Sequence, residues 1–277
     1  MRNQIRERIG LLLLYLVLIA GAVIVITPLL YAFATSLKTS AEVFAVPVRW
    51  LPTVAHFDNY PAALKQGPFG RYFFNSLFVA TGVTLLNLLT CSLAGYSFAK
   101  HRYHGRDILF GFVLATMMVP IASMVIPLFL VVKAAGWLNS YWGLIIPAGT
   151  SALGIFLMRQ NILAIPDDLI AAARIDGCGE LAIYWRIVLP LIGPALSSLA
   201  IFIFMWNWDS FLWPMVVATR DQYWTLPIGI AGFESSYGTN YPQMMAVANM
   251  AMAPVLVVFF ILQRNFIEAM ALSGIKE

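Results

Sequence analysis

Asn207 and Asp209 lie in the stretch Trp206-Asn207-Trp208-Asp209-Ser210-Phe211-Leu212-Trp213-Pro214, inside an otherwise apolar run. A carboxylate placed among apolar residues is costly, and it lines a polar pathway or pairs with another group. Two readings fit. Asn207 and Asp209 hydrogen-bond a polar solute while Trp208 or Trp213 stacks on its apolar face. Alternatively, Asp209 sits at a membrane interface with Trp213 in an aromatic belt.

Other reactive side chains lead to less. His101 and His104 stand three apart in the segment 100–107 with no further ligand nearby, so they read as solvated loop residues and no metal site is expected. Cys91 and Cys178 form no CxxC pair and read as small hydrophobes. Gly177-Cys178-Gly179-Glu180-Leu181-Ala182 fits the G-x-G-x-x-A pattern of dinucleotide sites. That pattern needs a preceding strand and an acid about 20 residues on; here a helical stretch precedes it and the next acid is Asp209. No G-x-x-x-x-G-K-[ST] phosphate loop occurs, so no cofactor is expected on this chain and its energy must come from a partner or an ion gradient.

The most structured polar segment is IPDDLIAAARIDGCGELAIYWRIVLP, residues 165–190. Pro166 before Asp167 and Asp168 predicts a helix start, since proline fits the first turn and carboxylates complement the dipole there. The alanine-rich run to Ile175 favours helix, and Gly177 supplies the left-handed residue that ends one. A second helix is expected over 179–188, before Pro190. Helix, glycine elbow and helix make a knuckle that suits docking into a partner's groove; an amphipathic connector on lipid headgroups is the plain alternative.

These segments must be positioned by the rest of the chain. Of its 277 residues 61% are hydrophobic and 11% charged, and the mean hydropathy is +0.81. A soluble domain carries about 25% charged residues, so lipid is the expected solvent. The net charge of +4 is modest and its basic residues are scattered, which argues against a nucleic-acid partner. Six apolar stretches match the ~20 residues that cross a bilayer: 11–34, 72–99, 108–132, 141–158, 194–218 and 243–262. Each should be helical, because a backbone in lipid must satisfy its own hydrogen bonds. The first is too long for a signal peptide and is expected to remain as a span. Pro120, Pro127, Pro147 and Pro254 interrupt spans, as gating kinks or as tolerated prolines.

Basic residues set the orientation. With the N-terminus inside, the inner pieces hold Arg2, Arg6, Arg8, Lys100, Arg102, Arg106, Arg159, Arg174, Arg186, Arg264 and Lys276. The outer pieces hold Lys38, Arg49, Lys65, Arg71, Lys133 and Arg220. Eleven against six puts both termini in the cytoplasm.

Ala171-Ala172-Ala173-Arg174-Ile175-Asp176-Gly177, followed by Ile187-Val188-Leu189-Pro190, resembles a known signature. The inner-membrane permeases of binding-protein-dependent sugar importers, of the maltose-transporter type with a MetI-like transmembrane fold, carry an E-A-A-x-x-D-G-A loop and an I-x-L-P stretch. Phe69 to Leu77, Met117 to Pro120 with Pro127, Trp208 to Pro214, and the closing Gly274-Ile275-Lys276 resemble further blocks of that family in the same order. The resemblance implies that the knuckle is a coupling helix in the cleft of a separate ATPase, with Asp168, Ala171, Ala172, Ala173, Asp176 and Gly177 at the contact. It also implies a second related permease, two ATPase subunits carrying ATP and Mg, and an external solute-binding protein that delivers sugar. Two departures stand out. The family's glutamate is Ala171 here, with Asp168 one turn earlier on the same face, and the alanine after the glycine is Cys178. Asp209 stands where the family often has asparagine.

The expectation is therefore an all-α integral membrane protein of six transmembrane helices with a cytoplasmic coupling helix: a single permease domain over 1–277 with its coupling loop at 165–190. It has no catalytic chemistry of its own and lies in a bacterial inner membrane. A stand-alone secondary transporter would show inverted repeats and mid-membrane charges. An embedded enzyme would show clustered His, Asp or Glu in the spans.

Overall fold

The computed structural model describes residues 2–236 and 240–274, and every regular element in them is helical. In chain order these are α1 (Arg2–Ser36), α2 (Ser40–Val43), α3 (Asn59–Lys65), α4 (Phe69–Lys100), α5 (Arg106–Thr116), α6 (Ile121–Ala134), α7 (Tyr141–Ile145) and α8 (Ala152–Leu163). There follow α9 (Asp167–Ile175), α10 (Glu180–Ile183), a π-turn (Tyr184–Val188), α11 (Leu189–Leu191), α12 (Gly193–Trp208), α13 (Leu212–Val217), a 3-10 turn (Asp221–Tyr223), α14 (Leu226–Ser236) and α15 (Tyr241–Gly274). The closing Ile275-Lys276 of the expected tail lies outside the described residues.

Among the described residues, three helices are long and apolar enough to cross a membrane: α1, α4 and α15. Two bent pairs bring the number to five if each is one span: α5 with α6, bent by 105°, and Glu180–Leu191 with α12, bent by 79°. The expected unbroken spans at 108–132, 141–158 and 194–218 are each in two pieces. Proline accounts for the first two breaks. Pro120 is extended, with φ −61° and ψ 132°, and starts α6 after the turn at 117–119. Pro147 falls between α7 and α8. A proline removes a donor. It also disfavours helix in the residue before it, although Ile146, before Pro147, keeps helical dihedrals (φ −62°, ψ −46°), so there the missing donor is the cause. The third break follows Trp208, where Asp209 caps α12.

The chain divides into two compact units. One comprises Met1–Pro68 with Ile230–Met252. In it α1 exposes nearly every side chain from 11 to 30, while its C-terminal end is well tied. Asn59 Nδ2 donates to the carbonyls of Ser36 and Lys38, both at 2.9 Å, and Lys38 Nζ, almost fully buried, donates to the Arg49 carbonyl at 2.6 Å. Glu42 closes a capping box with Thr39 and also accepts from the Thr53 amide at 3.0 Å. Those bonds hold its carboxyl down at about 2.

The other unit, Phe69–Gly229 with Ala253–Glu277, is organised around α4. One face of α4 packs on α8 and α12, and it buries polar groups as well as apolar ones. Asn87 Nδ2 donates to the Ala148 carbonyl at 2.6 Å, and Thr90 Oγ1 to the Gly149 carbonyl at 2.8 Å. Those carbonyls are released where the chain breaks between α7 and α8, so α4 replaces the bonds that the break removes. Ser76 Oγ accepts from the Leu226 amide at 2.7 Å. Close approach is possible because Gly95 has no side chain: a Cβ there would lie 2.7 Å from Met158 Cβ and 2.9 Å from the Arg159 nitrogen.

Gly95→Ala should therefore lower the melting temperature of the detergent-purified protein, and Gly95→Leu should abolish its accumulation in the membrane. Gly70→Ala, on the same helix with nothing within 4 Å of its Cβ, should change neither. Equal melting curves for Gly95→Ala and Gly70→Ala would show that α4 and α8 do not depend on this contact.

Candidate functional site

The knuckle begins at α9, whose first turn carries Asp167 and Asp168 and whose N-cap is Pro166. Its end is a Schellman motif. The Cys178 amide donates to the Ala173 carbonyl at 2.9 Å and the Gly177 amide to the Arg174 carbonyl at 3.0 Å. Gly177 has φ +82°, as the local pattern predicts. Gly179, at φ −72°, then starts α10. The second helix runs on as the π-turn and α11 beyond the expected end at 188, so Pro190 lies within the helical stretch. The π-turn widens the helix just before that proline, a recurrent way of accommodating a missing donor.

Two faces of α9 differ in chemistry. Ile170 and Ala173 are buried, with Ile183, Tyr184 and Val188 of the second helix in the same apolar cluster. Asp168, Ala171, Ala172 and Ile175 lie at helical spacing on the opposite face and are exposed, as are Asp176 and Gly177. Ile175 is 86% exposed and Leu181, on the second helix, 70%. Large apolar side chains held out beside carboxylates form a ready contact surface.

Successive turns of α4 brace the knuckle from behind. Ser92 Oγ and Tyr184 Oη are 2.7 Å apart. Tyr96 Oη donates to Glu180 Oε2 at 2.8 Å. Lys100 Nζ donates to the Ile165 carbonyl at 2.5 Å and to Asp167 Oδ1 at 2.6 Å. Glu180 also accepts from Arg174 Nε at 2.8 Å, closing α9 onto α10, and lies 3.1 Å from His101 Nε2. The Lys100 ammonium holds the Asp167 carboxyl below its ordinary value of 3.8. A depressed carboxylate contributes its stability above the unfolded value and loses it as pH falls through the folded one. The Lys100–Asp167 brace is thus intact at neutral pH and is lost as pH falls through the depressed Asp167 value.

The second group of expected site residues is arranged differently. Asn207 is half-buried and donates to the Ile203 carbonyl of its own helix at 2.8 Å. Trp208 is buried, with its ring stacked on Phe204 and edge-on to Phe73. Asp209 is exposed at the break after α12. Trp213 donates from Nε1 to the Gly143 carbonyl at 3.2 Å and packs on the apolar cluster of Val79, Val83 and Val217. The four residues share one kink, but both tryptophans are engaged in packing.

Residues 91–271 match the profile described as binding-protein-dependent transport system inner membrane component. The chain belongs to this family. Its knuckle, with the Schellman-capped α9, lies inside the matched region. The permease is 36% identical over 272 residues to the arabinooligosaccharides transport system permease protein AraQ of Bacillus subtilis, covering 97% of this chain and 96% of the relative. It is 32% identical to the lactose transport system permease protein LacG of Rhizobium radiobacter, over the full length of both. Its fold is similar to a chain of a bacterial ABC transporter involved in the import of the acidic polysaccharide alginate, with a TM-score of 0.82, 25% identity, and coverage of 93% and 96% of the two chains. The permease is a multi-pass membrane transport subunit, not an enzyme.

Sequence reasoning missed the braces. By sequence Glu180 belongs to a glycine-rich pattern and to the helix expected over 179–188, Lys100 to the inner basic residues, and His101 to a solvated loop. No local signal marks the bonds to α4, since Tyr96 and Lys100 stand 84 and 65 residues from Glu180 and Ile165; only the Arg174–Glu180 pair is local.

The elbow can be tested directly. Nothing lies within 4 Å of a Cβ at either Gly177 or Gly179, so only the positive φ separates them. Gly177→Val should cost about 1 kcal/mol or more in backbone strain and raise amide hydrogen exchange across 165–190. Gly179→Ala should leave exchange unchanged. Equal exchange in both variants would remove the elbow's requirement for glycine.

Proposed function

We propose that this chain is one half of the translocation pore of an ATP-driven sugar importer. A second, related permease forms the other half. Two separate ATPase subunits bind ATP and Mg, and an external solute-binding protein delivers the sugar. The sugar reading is supported by the names of the full-length relatives, which transport arabinooligosaccharides and lactose. The family description itself supports dependence on a binding protein.

The observation that carries the coupling role is the braced knuckle. Asp168, Ala171, Ala172 and Ile175 project from a helix whose far side is tied to α4, with Ala173 buried beneath them and Asp176 and Gly177 forming the elbow. A surface that is exposed yet rigidly backed transmits displacement instead of absorbing it. An ATPase groove closing on this face would move α9 and α10 together, because Arg174 and Glu180 link them, and would load α4 through Tyr96 and Lys100. Asp168 supplies the charge that Ala171 lacks relative to the family pattern.

In this reading the chain is a single permease domain with six crossings: α1, α4, the α5–α6 pair, the α7–α8 pair, α12 with α13, and α15. The knuckle and both termini face the cytoplasm of a bacterial cell. The sugar's route passes the kink after α12, where the exposed Asp209 and the neighbouring Asn207 offer polar groups. Trp208 and Trp213 hold the two sides of that kink.

Ile175→Asp places a charge on the exposed face without touching the buried one. It should leave the permease pair at normal levels while reducing both co-purification of the ATPase and solute-stimulated ATP hydrolysis. Ala171→Glu, which restores the family's acid, should keep or strengthen that association. Full ATPase retention and uptake in Ile175→Asp would exclude this face as the coupling surface.

Reporter fusions test the crossing number. Fusions after Lys100 and Glu277 should read cytoplasmic, and one after Gly232 external. An external C-terminus would rule out six crossings.

A further inference from the structure

At the N-terminal end of α4, away from the knuckle, a cleft of about 450 Å³ is lined by Arg71, Phe74, Asn75, Tyr141, Gln222 and Tyr223. Its floor is fixed. Asn75 is fully buried, donates to the carbonyls of Gln222 and Trp224 at 2.9 and 2.8 Å, and accepts from the Tyr141 hydroxyl at 2.7 Å. Tyr141 therefore has no proton left to offer a ligand. The cleft's remaining side-chain donors are the Arg71 guanidinium, the Gln222 amide and the Tyr223 hydroxyl. Arg71 is exposed, and it makes no hydrogen bond or ion pair among the described residues. No carboxylate lines the cleft.

Rings continue from the cleft along the helix. Tyr141 meets Tyr223 at 5.4 Å and Phe78 at 4.8 Å between ring centres, and Phe78 stacks on Phe74 at 6.0 Å. Below Arg71 the exposed face of α4 reads Phe74, Phe78, Thr81, Leu85 and Leu89, at helical spacing. This face is apolar for most of the membrane's thickness, and a lone cation stands at its end. A cation at the end of a spanning helix sits at headgroup depth, where phosphate is the abundant anion.

We propose that this cleft holds the phosphate of a membrane phospholipid, with Arg71 as its counter-ion and an acyl chain laid along Phe74, Phe78 and Leu85. The site does not depend on the coupling role of the knuckle or on which side the termini lie, only on α4 crossing the bilayer. A sugar ring could use the aromatic faces but not the apolar stripe below them. The loop at Arg102–Ile108 has similar basic character and a cleft of about 550 Å³. There, however, Arg106 is already paired with Asp107 at 2.9 Å, and that carboxylate lines the cleft.

The test uses the full-length permease in its assembled transporter, purified in mild detergent, stripped of lipid and retitrated under native mass spectrometry. Phosphatidylglycerol should bind this chain, and Arg71→Gln should weaken that binding by about tenfold or more, the expected loss of one charge-assisted contact. Arg71→Lys should retain part of the affinity, Phe74→Ala should weaken it, and Arg106→Gln should not change it. Diacylglycerol, which lacks the phosphate, should bind no better to the unaltered chain than to Arg71→Gln. Equal phosphatidylglycerol binding by the unaltered chain and Arg71→Gln would overturn the proposal. So would displacement of the lipid by inorganic phosphate, which would make this a free-anion site, or by lactose, which would make it a solute site.

Discussion

A carbonyl that loses its helical donor inside a bilayer has no water to turn to, and the protein must supply a replacement or leave the group unsatisfied at a cost of several kcal/mol. This chain breaks its apolar helices repeatedly, at Pro120, at Pro147 and after Trp208. The fold follows from how the released groups are met. Asn87 and Thr90 on α4 bond the carbonyls freed between α7 and α8, and Asn75 bonds two more in the segment after α13. Asn75 and Asn87 are buried polar groups in an apolar helix and Thr90 is half-buried, tolerable because each has a partner. They fix the rotation of α4, which in turn decides which face meets α8 and α12 and which faces lipid.

The same helix links the broken spans to the knuckle. Ser92, Tyr96 and Lys100 recur every four residues, so they stand on one face and grip Tyr184, Glu180 and Asp167 in succession. A helix held at three points along two turns cannot pivot independently of its partner. The Arg174–Glu180 pair then joins the knuckle's two arms across the glycine elbow. These exposed ion pairs add little stability singly. Their effect is geometric: α9, α10 and the end of α4 form one stiff body with an apolar and acidic face turned outward.

Packing at the kink after α12 shows the opposite design. The Trp208 ring meets Phe204 of its own helix and Phe73 of α4, and Trp213 gives its indole donor to Gly143, while Asp209 is left outward at the end of a helix.

Much of this was legible from the residues alone, wherever the cause is local. Apolar content demanded a membrane. Pro166, the alanine run and Gly177 marked the ends of α9, because capping and left-handed φ depend only on a few neighbouring residues. The order of the motif blocks was enough to place the chain in its family. Tertiary structure alone decided which prolines break a span and which are carried inside a helix, as Pro127 and Pro254 are. At Pro147 the carbonyls that follow are met by Asn87 and Thr90 of α4, a condition that only the packed helices reveal. Tertiary structure also decided the roles of Glu180, Lys100 and Arg71. A side chain's partner, or its lack of one, is set by helices brought together from far along the chain, and no window of sequence contains that information.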